Sequence, residues 1–379
     1  MNAQIRSDFP VTRDLAYLDT AYDGPYPLPA LQAGTDFLER RSKGTAGRVR
    51  DWLGVMEEVR GKIADLINAK PEEVAITTST TQGTNLVATS LPFGPGDNVV
   101  WGSQSYPSNG LVWLAQEKRS GLENRIVEDE SGAPRVSDFV PAVDDRTKVV
   151  SVSHVSYSNG HVADLKGLAD LAHGHDAYLH VDAIQSVGAI RVDVKAMGVD
   201  FLTCGTYKWL LGPLGLAFFY VREELLQNME PVFAGEMQAK TWSNPLQEFA
   251  QGEYPAELHE TARKFEYATV HFQGLFELRA SLDYILGIGV DRIEEQVLRL
   301  SSKLWRGLDE LGFELRTPPG TRSGIVTCVV TDAEKVDELL SENKIVASMK
   351  SGNRLRIFPH FFNTEGEIDH VLSVMEQSR

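Results

Sequence analysis

Between residues 74 and 221, short apolar runs rich in β-branched residues alternate with longer helical patterns, and this alternation constrains the fold more than anything else in the chain. Residues 74–77 (VAIT), 98–101 (NVVW), 148–152 (KVVSV), 178–181 (YLHV), 201–204 (FLTC) and 216–221 (LAFFYV) read as strands. Helices are expected over 80–90, 107–119, 164–174 and 185–198. A sheet with one face in water needs polar residues at every second position. These strands are apolar almost throughout, so both faces must be covered. Doubly covered strands alternating with helices predict an α/β fold on a mostly parallel sheet.

Beyond residue 272 the pattern changes. A long amphipathic stretch (276–311) leads to GIVTCVV, a helical pattern at 332–342, a short strand at 354–357 and a closing helix at 364–377. That reads as a small α+β domain. We therefore expect a large domain over 16–272, a small C-terminal domain over 273–379, and an N-terminal arm, 1–15, set apart by Pro-rich turns and packed on the small domain.

Composition narrows the function. The net charge of -16 repels a nucleic-acid backbone, so no nucleic acid is expected as a partner. No run of 18 apolar residues marks a membrane span, and the first residues lack the apolar core of a signal peptide. A cytoplasmic location is the expectation. Two cysteines, Cys204 and Cys328, are too few and too far apart for a disulfide framework or a thiolate metal site. His173, His175 and His180 are spaced as H-x-H-x4-H. The first two end a helical pattern and the third lies in a strand, so convergence on a metal is not expected.

Three segments at strand ends carry chemistry, where open α/β sheets bind ligands. In Thr77-Thr78-Ser79-Thr80-Thr81-Gln82-Gly83, a strand gives way to hydroxyl residues and a helix. A helix N-terminus of this kind holds anions, although an ordinary Ser/Thr cap has the same residues. In His180-Val181-Asp182-Ala183-Ile184-Gln185, a carboxylate follows a buried strand. It needs a cationic partner such as a protonated ring nitrogen, or it caps a helix. In the third, Lys208 stands between an apolar strand and a glycine turn, beside Trp209 and Leu210. Burial favours the neutral amine that attacks an aldehyde. Asp182 and Lys208 lie 26 residues apart, one βαβ unit, so one ligand can meet both.

With these motifs in order, the chain resembles the class V aminotransferase superfamily of fold type I pyridoxal 5′-phosphate (PLP) enzymes. It is most similar to the branch of cysteine desulfurases, selenocysteine lyases and isopenicillin N epimerase-like proteins. The resemblance runs from Leu18-Asp19-Thr20-Ala21 with Gly24-Pro25 to Arg356 with Asn363-Thr364. It implies PLP carried on Lys208 as a Schiff base, with Thr80 and Thr81 at the phosphate. It also implies a ring stacked on the cofactor at Tyr106, and the Asp-x-x-Gln pair Asp182 and Gln185. Tyr207 resembles the phosphate-contacting tyrosine of kynureninase-like members. His154 stands where the family has an asparagine near the ring oxygen and substrate carboxylate, and it is a catalytic candidate beside Lys208. Arg356 matches the clamp for the substrate α-carboxylate. Thr269 matches a threonine that reaches the phosphate of the neighbouring subunit, which implies a homodimer with shared active sites.

The departures bear on the reaction. Cysteine desulfurases carry a mobile cysteine shortly before the carboxylate-binding arginine. Here residues 345–353 read IVASMKSGN, with no cysteine. Tyr22 and Asp23 replace small residues and are expected to enter the substrate pocket. The first expectation is an amino-acid enzyme that cleaves the Cβ–S bond of an S-substituted cysteine without a persulfide cysteine. The alternatives are an epimerase or racemase, an aminotransferase and a decarboxylating enzyme. Kynureninase chemistry is disfavoured, because its histidine-containing turn is replaced by 182–185. A purely regulatory PLP-fold protein is disfavoured too, since the lysine, the ring aspartate and the carboxylate clamp are all present.

Overall fold

The computed structural model describes residues 3–129, 131–240 and 257–378. The chain enters through a helix (Ala3–Ser7) and a two-residue strand, β1 (Ala16–Tyr17), and then two helices, Leu28–Ser42 and Val49–Ile67. Seven strands follow: β2 (Val74–Thr77), β3 (Asn98–Gly102), β4 (Glu123–Val127), β5 (Thr147–Ser153), β6 (Tyr178–Asp182), β7 (Phe201–Gly205) and β8 (Ala217–Val221). They form one sheet in the order β2-β8-β7-β6-β5-β3-β4. β8 runs antiparallel to both its neighbours, and every other pair is parallel. β2, β3, β7 and β8 are buried at every residue, as their unbroken apolar runs require. The carboxyl ends of the parallel strands lie along one edge, which places Asp182 and the loop beyond Gly205 side by side.

Two features depart from the sequence reading. Residues 185–198 are not a helix but a chain of turns, with an isolated bridge between Val187 and Ile190. Gly188 sits at φ +95°, where a Cβ would come 2.5 Å from the Trp209 carbonyl oxygen. Packing against the 208–210 loop therefore overrides helical propensity. The edge strand β4 (ENRIV) was not expected, because an edge strand keeps polar, half-exposed residues and loses the apolar signature.

A smaller layer follows the large sheet. The 276–311 stretch is two helices, Phe272–Ile288 and Val290–Glu310, broken at Gly289 with φ +91°. β9 (Glu314–Leu315), β10 (Val326–Val329), β12 (Ser348–Lys350) and β13 (Arg354–Ile357) make an antiparallel sheet in the order β12-β13-β10-β9, and the closing helix is Glu365–Gln377. Leu300, Leu304, Leu308, Val371 and Met375 fill a separate core beneath it. β11 (Ile345–Val346) leaves this sheet to pair in parallel with β1. The first residues are tied to the same region. Phe9 stacks on Phe362 with ring centres 4.4 Å apart, and Arg6 forms a two-pronged ion pair with Glu367 at 2.9 and 3.0 Å.

One buried ion pair fixes the approach to Thr269. Arg60 grips Glu266 through both ends of its guanidinium, at 2.7 and 3.0 Å, and both side chains are almost fully buried. Glu266 also accepts the Ile76 N–H at 2.6 Å, so residues 262–266 are pinned onto β2. A buried pair with its remaining donors and acceptors satisfied acts as a register pin rather than a source of net stability.

Candidate active site

Lys208 lies three residues past β7 and is only 8% exposed. The loop that carries it is held from two sides. Gly24 N–H donates to the Tyr207 carbonyl at 2.8 Å, and a Cβ at Gly24 would collide with the Lys208 carbonyl oxygen. On the other side Trp209 is fully buried and donates its indole N–H to Gln185 Oε1 at 2.8 Å. The lysine stem is thus fixed and its Nζ faces a cavity of about 630 Å³.

The cavity wall brings together residues that are far apart in sequence. Tyr22, Asp23, Tyr106, Gln185, Tyr207, Lys208 and Arg356 all line it. Ala21, Tyr157, Leu214 and Lys350 line it as well and were not singled out from the sequence. Nζ of Lys208 lies 6.0 Å from the Tyr106 ring centre and 5.7 Å from that of Tyr207. Tyr106 packs edge-on against Tyr157 with centres 5.2 Å apart. Burial pulls the Lys208 ammonium down to about 8, against the opposing pull of Asp182. A lysine tuned this way is neutral in about a tenth of the molecules at pH 7, far more than an ordinary lysine.

Asp182 ends β6 behind this wall and is 3% exposed. It accepts from Asn109 Nδ2 at 2.8 Å and from the Ile184 N–H at 3.0 Å. Burial raises its pKa although both hydrogen bonds oppose the rise. Among the described residues no cation lies within ion-pair distance of it, and Lys208 acts on it only through space. Asn109 escaped the sequence reading. The only clue was its place four residues into the Tyr106-Pro-Ser-Asn turn, where the first turn of helix Pro107–Ser120 points back at the sheet edge.

Gln185 already gives one amide hydrogen to the Ala21 carbonyl at 3.1 Å, which leaves a second for the cavity. His154 does not reach the wall. It is 3% exposed, burial lowers its ring to about 4, and its Nδ1 has no partner. Its main-chain N–H donates to the Asp182 carbonyl at 2.9 Å. Thr80 and Thr81 form the first turn of the helix Thr80–Ser90, half-buried and below the lysine loop. Ser79 caps that helix, its Oγ accepting from the Gln82 N–H at 3.0 Å, and Thr80 Oγ1 accepts from the Gly205 N–H at 3.0 Å. The helix start is thereby tied to the end of β7. Thr269 is exposed and outside the cavity of its own chain.

Arg356, in β13, is 5% exposed. Its Nη1 donates to the Tyr157 carbonyl at 2.7 Å and its Nη2 to Ser348 Oγ at 3.4 Å, while its Nε is buried without an acceptor. Burial lowers its pKa, and it stays cationic because a guanidinium starts so high. Asp19 lies nearby, its carboxyl pushed up to about 6 by burial. The three histidines of the H-x-H-x4-H pattern diverge. His173 meets Asp200, His175 meets Asp145, and His180 meets Ser151, each at 2.8 Å.

The family model for aminotransferase class-V matches residues 16–362. The chain belongs to the class V aminotransferase family. A probable cysteine desulfurase from Methanothermobacter thermautotrophicus is 31% identical over 98% of this chain and 97% of its own length. Among solved structures, the apo cysteine desulfurase of Thermococcus onnurineus NA1 superposes with a TM-score of 0.87 at 28% identity, covering 99% of this chain and 97% of that one. The cystine C–S lyase C-DES, solved with cysteine persulfide, gives 0.89 at 21% identity over 98% and 99%, a likeness of fold. The architecture is the type I fold of PLP enzymes, and PLP is the cofactor of this class V family. The residues present fit that group. Asp182 is a buried carboxylate with no ion-pair partner among the described residues, and a protonated ring nitrogen would supply one. The helix start at Thr80 supplies N–H groups for a phosphate. Among the described residues, no helix is long and apolar enough to cross a membrane.

Proposed function

We propose that this class V enzyme cleaves the Cβ–S bond of S-substituted cysteines with PLP held at Lys208, and that no thiol of its own takes part. The observation that carries the reading is the state of its two cysteines. Cys204 and Cys328 are each 0% exposed, and neither lines the cavity. Burial raises both thiols, Cys328 to about 12, so neither offers the thiolate that attacks sulfur. A sulfur atom released in this cavity has no protein cysteine to accept it. It must leave on its own substituent. The balanced reaction is R–S–CH2–CH(NH3+)–COO− plus water giving pyruvate, ammonium and R–SH.

When bound, the cofactor supplies the electron sink that lets the α-proton and then the thiolate depart. The protein supplies the rest. Lys208 Nζ, mostly neutral above about pH 8, would take the proton from Cα and pass it to the departing sulfur, which leaves as R–SH. Asp182, with Asn109 steadying one oxygen, keeps the ring nitrogen protonated. Gln185 gives its free amide hydrogen to the ring oxygen. Tyr106 would cover the ring, and Thr80, Thr81 and Tyr207 would hold the phosphate. His154 meets Asp182 through its main chain alone, its N–H donating to the Asp182 carbonyl. Arg356 holds the α-carboxylate, while Tyr22 and Asp23 border the substituent.

The direct test is mass spectrometry of products from a panel of S-substituted cysteines and unsubstituted amino acids. Stoichiometric pyruvate and R–SH support the reading. A changed stereocentre with sulfur retained points to racemisation and sinks it.

Replacing Arg356 with Lys keeps the charge and removes the fork. The apparent affinity for amino acids is expected to fall by about 1–3 kcal/mol with folding intact. Titration of cofactor absorbance with substrate checks this; unchanged affinity moves the carboxylate clamp elsewhere.

Thr269, exposed on its own chain and pinned by the Arg60–Glu266 pair, is assigned to the phosphate site of a second copy. The protein is then a twofold dimer with shared sites. Light scattering at micromolar concentration is expected to give twice the chain mass, and Thr269→Ala to weaken PLP retention. A fully active monomer would leave Thr269 as a surface residue.

A further inference from the structure

We infer that Lys350 selects substrates whose sulfur substituent carries a negative charge; this rests on the C–S cleavage reading above for its substrate class. The cavity holds four charged side chains, Asp23, Lys208, Lys350 and Arg356. In that reading Lys208 is committed to the cofactor and Arg356 to the α-carboxylate. Lys350 is then the cation left over. It forms no ion pair within 4.0 Å among the described residues, although the Asp19 carboxyl acts on it through space.

Its direction follows from the strand that carries it. Ser348 and Lys350 are two residues apart in β12, so their side chains leave on the same face. Ser348 Oγ accepts from Arg356 Nη2, which marks that face as the one toward the carboxylate clamp. Two residues of strand span roughly 7 Å. That is about the reach from an α-carboxylate, past Cβ and sulfur, to a group two atoms beyond. The Lys350 ammonium sits over the Tyr22 ring, 5.1 Å from its centre, at the exposed rim of the cavity. The same segment, residues 345–353, carries no cysteine.

Asp23 borders the same cavity and sets an opposing charge. The preference is therefore moderate, about tenfold, rather than that of an isolated cation. Neutral alkyl substituents fit the volume but leave the ammonium unpaired. Carboxyalkyl or sulfonated substituents pair it.

The test uses the PLP-loaded protein and two ligands without sulfur, so that no Cβ–S bond can break. L-2-Aminoadipate is the carba-analogue of S-carboxymethylcysteine, and its side-chain amide is the neutral match in size. Calorimetry is expected to show the acid binding about tenfold more tightly than the amide in the native protein. Lys350→Gln is expected to bring the two to equal affinity with the amide unchanged. A ratio near one in the native protein, or a ratio that survives Lys350→Gln, overturns the inference. Loss of amide binding in the variant also overturns it, since Lys350 would then serve the site as a whole. Release of thiol from S-carboxymethylcysteine is followed separately. Its absence alongside the expected binding ratio refutes the C–S cleavage reading and leaves the charge preference standing.

Discussion

Lys208→Ala is expected to abolish the covalent cofactor adduct and to lower turnover by about 10³-fold or more, because one amine serves as both anchor and proton carrier. Borohydride treatment of the native protein followed by peptide mapping should find the label on the 206–210 segment. In the variant the label should vanish while thermal unfolding stays close to native, since the lysine head faces a cavity and not the core. The pH dependence has a definite sign. Capture of the aldehyde needs the neutral amine, and burial has lowered this ammonium from 10.5 to about 8. Reconstitution of apoprotein should therefore accelerate as pH rises toward 8 and level off above it. An ordinary exposed lysine would still be accelerating at pH 10. A label that persists at another lysine in active protein would displace Lys208 from its role.

Asp182→Asn is the second large effect. The substitution keeps an oxygen to accept from the Ile184 N–H, so β6 and the following turn should form. The counter-charge for a ring nitrogen is lost, and the ring becomes a weaker electron sink. Turnover should fall on the order of 10²-fold, which corresponds to roughly 3 kcal/mol of barrier. Asn109→Ala, which removes one hydrogen bond from the same carboxylate, should cost less, about 1–2 kcal/mol. Near-normal turnover in Asp182→Asn would remove the electron-sink role.

The large sheet was legible because its strands are buried on both faces and so carry unbroken apolar runs. The strand at 74–77 and the helix at 80–90 fall where the sequence puts them. β4 was not legible for the converse reason: an edge strand keeps Glu123, Asn124 and Arg125 in or near solvent. The turns at 185–198 were misread because contacts with a distant loop, not local propensity, decide the path of Gly188. The site shows the same division. Residues whose chemistry is unusual for their local setting, such as Lys208 beside a buried strand and Asp182 at a strand end, announce themselves. Asn109, Tyr157 and Lys350 are ordinary surface or helix residues in sequence. Helix Pro107–Ser120 brings Asn109 onto Asp182, and the packing of β12, β13 and the 154–157 turn around the cavity makes Tyr157 and Lys350 neighbours of the lysine. His154 was placed next to the chemistry by resemblance, and its side chain is buried and does not line the cavity.

The central claim is cleavage of a Cβ–S bond without a protein thiol, and a cysteine-free protein tests it most directly. Cys204→Ala combined with Cys328→Ala removes both thiols at buried strand positions, at a stability cost of about 1–2 kcal/mol each. The measurement is release of pyruvate and thiol from an S-alkylcysteine by the PLP-loaded double variant. The account predicts a rate within about twofold of the native protein once unfolded material is discounted. A correctly folded, cofactor-loaded double variant that releases neither product would contradict it, and would make one of the two cysteines part of the reaction.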